Sequence, residues 1–184
     1  VPADEAESEG ENFNHIETKE PLTQLVAKMS KSLKNVINPD DVCEEYGADT
    51  LRLYEVFMGP ITASAPWNPR DLPGVHRFLQ RTWRAFDKGL SDASNKEIEQ
   101  GLHKCIKKVG KDLENMSYNT AISAMMEFIN LVTKSEHCLT HDQAGRFCVL
   151  LEPFAPHLAE EIYVEHITNY SKPESFWFKG FDGK

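Results

Sequence analysis

Residues 74–88 read GVHRFLQRTWRAFDK. Val75, Phe78, Leu79, Thr82, Trp83 and Phe86 are spaced at 3, 4, 7, 8 and 11 from the first of them, which puts them on one face of an α-helix. Arg77, Arg81, Arg84 and Lys88 follow at steps of 4, 3 and 4 and form a basic stripe opposite that face. A helix with one apolar face has to bury it against another element. The stretch therefore predicts the first helix of a bundle, running from about Gly74 to Lys88.

The chain after it supplies the other helices. Residues 96–116 place Ile98, Leu102, Cys105, Ile106, Val109, Leu113 and Met116 inward. A third helix is expected from near Asn119, read as its N-cap, with Ile122, Met125, Met126, Ile129 and Val132 inward. Thr140-His141-Asp142-Gln143 has the form of a capping box and opens a fourth, with Phe147, Val149, Leu150 and Leu151. Pro153 and Pro156 break it, and a fifth restarts at about Pro156 through Leu158, Ile162 and Tyr163. The fold class read from this pattern is mainly α, a helical bundle.

Two shorter helices precede the bundle. Asn38 caps the first, with Pro39 at its first position and Asp40 and Asp41 on the positive end of its dipole. Gly47 ends it, and Asp49 is read as the cap of the next, which stops at Gly59-Pro60. The loop 61–73 holds Pro66, Pro69 and Pro73, and the domain boundary is placed there, near 65–72. Residues 1–20 are expected to be a mobile lead-in with a short strand or hairpin near Phe13–Thr18. The tail 168–184 is aromatic (Tyr170, Phe176, Trp177, Phe178, Phe181) and receives no assignment.

Composition narrows the function classes. The 184 residues carry a formal net charge of -9, at first sight a poor match to nucleic acid. Residues 1–20 hold Asp4, Glu5, Glu7, Glu9, Glu11, Glu17 and Glu20 against Lys19 alone, so most of that charge sits in an acidic head. No apolar run approaches the roughly 18 residues that span a bilayer. Val1 stands where an initiator methionine would, and reads as a processed or trimmed start. The cysteines Cys43, Cys105, Cys138 and Cys148 are scattered with no CxxC, the pattern of reduced thiols in a cytosolic protein. His137, Cys138, His141 and Cys148 have ligand chemistry, but their spacing fits no zinc pattern, and no metal site is expected. His157 reads as a structural histidine bonded to a backbone group.

Chemistry enters at KMSKSLKN, residues 28–35. Lys28 and Lys31 lie one turn apart, and a tight loop could aim both ammonium groups at one anion. Ser30 and Ser32 add small donors. Such a loop could close on a polyphosphate as charge builds up in nucleotidyl transfer, and it could equally be a solvated basic run.

KMSKS is similar to the signature loop of class I aminoacyl-tRNA synthetases. NPDDVCEEYGADTLRLYEVFMGP (38–60), GVHRFLQRTWR (74–84), YNTAISAMMEFIN (118–130) and LLEPFAPHLAEEIY (150–163) resemble the leucyl members in particular. The resemblance covers about residues 25–165. It implies that residues 1–65 are the end of a class I catalytic domain and 66–167 an anticodon-binding helical domain. Lys28, Met29, Ser30, Lys31 and Ser32 would then bind ATP, with Mg2+, during leucine adenylation, with Lys28 and Lys31 in catalytic roles. Arg77, Arg81, Arg84 and Lys88 would meet the tRNA backbone, with Lys104, Lys107, Lys108 and Lys111 as a weaker patch spread around the next helix. Leucine, ATP and tRNA(Leu) are the implied partners, through a larger cytoplasmic enzyme.

Two departures qualify the resemblance. The family commonly follows KMSKS with Lys-Gly-Asn, whereas this chain has Leu33-Lys34-Asn35, which removes a permissive glycine. No His-x-Gly-His occurs in the 184 residues, and neither the Rossmann half nor an editing domain is recognisable, so the chain alone is expected to be inactive. The alternatives are a stand-alone RNA- or protein-binding module, or the same region of a valyl, isoleucyl or methionyl enzyme.

Overall fold

The structure is a computed structural model and describes residues 5–9, 12–23 and 27–168. The chain divides into two compact units, Val1–Asp41 and Val42–Lys184.

The first unit carries a small antiparallel sheet of three strands, β1 (Ala6–Glu9), β2 (Asn12–His15) and β3 (Pro21–Leu22), in that order. Ser8 stands opposite Phe13, and Phe13 opposite Leu22. The strand or hairpin expected near Phe13–Thr18 is present: β2 ends at His15, the chain turns back into β3, and the turn is held by the His15 ring. Its Nδ1 accepts from the Glu17 and Thr18 N–H groups at 3.2 and 3.3 Å. Lys19 then takes φ 59° and pairs with Glu7 at 2.7 Å. The strands are short and polar and bury no described residue, so no alternation marks them in the sequence.

The helices follow in chain order, the first of them beginning just before Val42 and the rest within the second unit: α1 (Pro39–Tyr46), α2 (Ala48–Phe57), α3 (Leu72–Asp87), α4 (Lys96–Glu114), α5 (Tyr118–Lys134), α6 (His141–Leu151) and α7 (Pro156–Ile162). A π-helical turn, Tyr163–Thr168, follows α7. α4 and α5 make the most extensive helix pair, and α2 packs on α3, α5 and α7. Phe78, Phe86, Ile98, Leu102, Ile122, Met125, Ile129 and Phe147 are fully buried in one core. Leu53 and Tyr54 of α2 belong to the same core, which is why the compact unit begins at Val42 although the proline loop lies at 61–73. The Tyr54 hydroxyl fastens that loop: it donates to the Asn68 carbonyl at 3.0 Å and accepts from the Asn68 N–H at 2.8 Å.

Capping explains most of the helix starts. Asn38 accepts from the Asp40 N–H, Asn95 from Glu97 and Ile98, and the Thr140–Gln143 capping box is complete in both directions. Gly47 has φ 86°, which excludes other residues at little cost only because it is glycine.

Several positions differ from the sequence reading. Asp49 is not a cap of its own helix; Gly47 is the N-cap of α2, and Asp49 is buried in its first turn. α5 starts from Ser117, so Asn119 lies inside its first turn. Met116 is 60% exposed with φ 54° because it is the left-handed residue that ends α4, where the Ser117 N–H reaches the Asp112 carbonyl at 2.8 Å. Val149 is exposed, since on α6 the inward face is set by Ala144, Phe147, Cys148 and Leu151. Tyr163 is exposed where the helix widens into the π turn. The aromatic tail beyond Thr168 lies outside the described residues.

Candidate functional site

The KMSKS stretch forms one 3-10 turn, Lys31–Leu33, built almost wholly from its own polar groups. Ser30 caps it, its Oγ accepting from the Leu33 N–H at 3.3 Å. Asn35 staples the base: its Oδ1 accepts from the Ser30 N–H at 2.8 Å, and its Nδ2 donates to the Lys28 carbonyl at 3.4 Å. The Ser30 and Ser32 hydroxyl oxygens lie 3.2 Å apart. Lys28, Lys31 and Lys34 are exposed, and among the described residues none of them is in an ion pair. The turn therefore presents free ammonium groups and small hydroxyls on a frame closed by side-chain bonds, a geometry that can follow an anion without disturbing a core.

Lys34 ends this turn with φ 51°. It occupies the place where the resemblance expects glycine. The backbone adopts the left-handed conformation regardless, at a cost of roughly 1 kcal/mol for a residue with a Cβ.

The basic face of α3 is less uniform than its spacing suggests. Arg77 and Arg84 are exposed. Arg81 is half-buried, and its Nε is buried without a hydrogen-bond partner. Lys88 is engaged: its Nζ donates to the Thr133 carbonyl at 3.1 Å and so completes the C-terminal end of α5. On α4, Lys108 pairs with Asp112, which the Thr120 hydroxyl also bonds at 2.6 Å. Asp112 is buried, and burial raises its pKa, but the Lys108 and Thr120 bonds outweigh that and hold its carboxyl below the usual range.

Among the described residues His157 bonds a carboxylate, not a backbone group. Its Nδ1 lies 2.8 Å from Asp49 Oδ1, while Asp49 Oδ2 accepts from the Leu158 N–H at 2.8 Å. One buried carboxylate thus caps α7 and orients a histidine more than a hundred residues away in sequence. Arg52 adds a bond from Nη2 to the Pro153 carbonyl at 3.1 Å, so α2 holds the α6–α7 corner at two points. No local sequence signal marks this pairing; Asp49 looks like an ordinary helix-start acid.

Among the described residues no group of three or more His, Cys, Asp or Glu gathers as metal ligands do. Cys105 and Cys148 are buried, and burial pushes each thiol up to about 12, which keeps both protonated. Cys138 faces the Lys88 carbonyl at 3.8 Å instead.

Residues 24–66, which contain the KMSKS turn, match the family described as tRNA synthetases class I (I, L, M and V). Residues 95–181 match the anticodon-binding domain of tRNA ligase. Sequence matching the class I tRNA synthetases, followed by sequence matching a tRNA-ligase anticodon-binding domain, defines the class as class I tRNA synthetase. The chain is 48% identical over 165 residues to the leucine–tRNA ligase of Borrelia hermsii and 50% identical over 165 residues to that of Borreliella afzelii. It belongs to the leucyl-tRNA synthetase family. Each alignment takes in 89% of this chain and 19% of the relative, so the chain spans about a fifth of the length of these relatives. Its fold is similar to that in the ternary complex of LeuRS, tRNA and LeuAMS from Agrobacterium radiobacter, with a TM-score of 0.65 and 31% identity over 74% of this chain and 20% of that one.

Proposed function

We propose that this chain works as part of a leucine–tRNA ligase. Its KMSKS turn serves ATP-dependent leucine adenylation, and its helical bundle docks tRNA(Leu). The observation that carries this reading is the placement of an exposed, unpaired KMSKS turn within the class I match and ahead of an anticodon-domain bundle in one chain.

In this role Lys28 and Lys31 meet the phosphates of ATP, which arrives with Mg2+ as a substrate. In adenylation a leucine carboxylate oxygen bonds to the α-phosphorus while the bond from that phosphorus to the oxygen bridging to the β-phosphate breaks, and the charge that gathers on the departing pyrophosphate is what two ammonium groups stabilise. Met29, Ser30 and Ser32 complete the loop. Ser30 keeps the turn shaped through its bond to the Leu33 N–H, so it positions more than it binds. The leucine and adenosine pockets would come from residues outside this chain, which by itself is proposed to be inactive. Arg77, Arg81, Arg84 and Lys88 are proposed to contact tRNA phosphates, Lys88 with the N–H groups that its bond to the Thr133 carbonyl leaves over. Among the described residues no helix is long and apolar enough to cross a membrane, and the cytoplasm is the proposed location.

The test adds the chain to a catalytic fragment of the parent enzyme and follows leucine-dependent ATP–pyrophosphate exchange. A gain over the fragment alone is expected; none, with both parts folded, would count against the reading. In the full-length parent, Lys31→Ala should lower the exchange rate by about a hundredfold or more while changing tRNA affinity little. Binding of tRNA to the bundle should weaken steeply with salt, and Arg77→Ala with Arg84→Ala should flatten that dependence.

A further inference from the structure

Lys104, Lys107, Lys108 and Lys111 stand at offsets of 0, 3, 4 and 7 on α4, which puts them on one face of the helix and not around it as first read; the structure sets that face along a groove. It lies between α4 and α5 and encloses about 660 Å3. Lys104, Lys107, Lys108 and Lys111 stand along one wall. Cys105, Ala124, Phe128 and Leu131 supply its apolar lining, with Cys105 and Phe128 each only 3% exposed at its base. Gly101 lies at one end, where a Cβ would force the end of the Leu131 side chain to move aside.

The polar groups of the groove have unequal freedom. Lys108 is paired with Asp112. The hydroxyls on the α5 wall are occupied, Thr120 with Asp112 and Ser123 with the Asn119 carbonyl at 2.9 Å. Among the described residues Lys104, Lys107 and Lys111 have no ion-pair partner, and Glu127 is the one carboxylate of the lining. In a chain of net charge -9, this is a locally positive groove with an apolar base.

We propose that the groove docks an acidic amphipathic helix of a partner protein. Apolar side chains one turn apart enter the base, and carboxylates flanking them meet the free lysines. The charge of the wall selects an acidic partner. The base decides between a helix and a nucleic-acid backbone. A phosphate track would set charged oxygens against Phe128 and Leu131, find the hydroxyls already bonded, and face Glu127 across the groove. A helix instead removes apolar surface from water on both sides, and keeps its charges at the rim.

The 184-residue chain is titrated by fluorescence anisotropy with two probes. One is a labelled helix of about 18 residues, five turns, with leucines on one face and glutamates beside them; the other is a labelled single-stranded RNA of similar charge. The peptide is expected to bind more tightly than the RNA at this site. Lys104→Glu with Lys111→Glu should weaken the peptide by about tenfold or more. Ala124→Trp fills the groove without changing charge and should weaken it comparably. Glu127→Lys, on an exposed position, should tighten it several-fold, a gain that misfolding cannot imitate. Peptide affinity indifferent to both Ala124→Trp and Glu127→Lys overturns the proposal. So does an RNA probe that binds more tightly than the peptide and is the one displaced by Ala124→Trp.

Discussion

The KMSKS turn and the helical bundle are held together by different physics. The turn, residues 28–35, has no buried residue and rests on short-range bonds from Ser30 and Asn35. The bundle rests on apolar burial, with Phe78, Phe86, Ile122, Met125 and Phe147 inaccessible to water. Each exposed hydrogen bond contributes on the order of 1 kcal/mol net, whereas a buried aromatic contributes several. A part that must close on a phosphate and release it is served by the first kind of support. A part that must hold a macromolecule in register is served by the second.

The comparison is broken most forcefully in the core. Phe86→Ala should destabilise the bundle by about 3–5 kcal/mol, seen as a large fall in Tm. Lys31→Ala, by contrast, should leave Tm within about 1 °C, since surface substitutions stay within roughly 0.5 kcal/mol. A comparable drop from Lys31→Ala would show that the turn is part of the bundle's cooperative unit after all.

Next comes the polar link inside the bundle. Asp49→Ala removes the acceptor for the Leu158 N–H and the partner of His157, and should cost about 2 kcal/mol. Asp49→Asn keeps an oxygen for the N–H and should lose about half as much. Hydrogen exchange should report the loss first at the start of α7. Equal losses for the two variants would place the charge, not the cap, at the centre of the interaction.

Smaller effects follow from pH. Glu99 is held below the usual carboxylate range by bonds from Gln143 and then Arg146, and Asp112 by Lys108 and Thr120. A lowered folded-state pKa means that the stabilisation is complete above the ordinary carboxylate value of about 4 and is lost as pH falls through the lowered value. Bundle stability should therefore drop on acidification below about pH 4, and Asp112→Asn should make that drop shallower. An unchanged acid transition in the variant would remove Asp112 from the account.

Backbone conformation supplies the smallest effects. Met116 and Lys34 both hold left-handed φ values, 54° and 51°. Met116→Gly should raise stability by about 0.5–1 kcal/mol, because Met116 is exposed and loses little packing. Lys34→Gly should leave Tm unmoved while relaxing the turn, visible as faster amide exchange at Leu33. Opposite signs at the two positions would show that the turn, and not the bundle, feels the strain.

Much of the fold could be read in advance because helices advertise themselves locally. The stripe Val75–Phe86, the Asn38 and Thr140 caps and the breaks at Pro153 and Pro156 depend only on neighbours in sequence. KMSKS was legible for a different reason, since its residue types and their order carry the resemblance. What escaped the sequence has a common cause. Met116 sits at an inward spacing but falls on a helix end, and Val149, apolar like its neighbours, falls outside the face set by Ala144, Phe147, Cys148 and Leu151. Lys88 looked like one more charge in a stripe until α5 brought its last carbonyls within reach.

The sequence by itself determined that this chain is mainly helical, where helices such as α1 and α6 begin, and which loop carries the two lysines. Those are consequences of periodicity, capping and residue chemistry over a few turns. Only the tertiary structure decided that Asp49 serves α7 and not α2, that Arg81 is partly withdrawn from the basic face, and that four α4 lysines border one groove with α5. Each of these depends on which helix packs beside which, and that choice is made by burial over the whole core, not by any short stretch of chain.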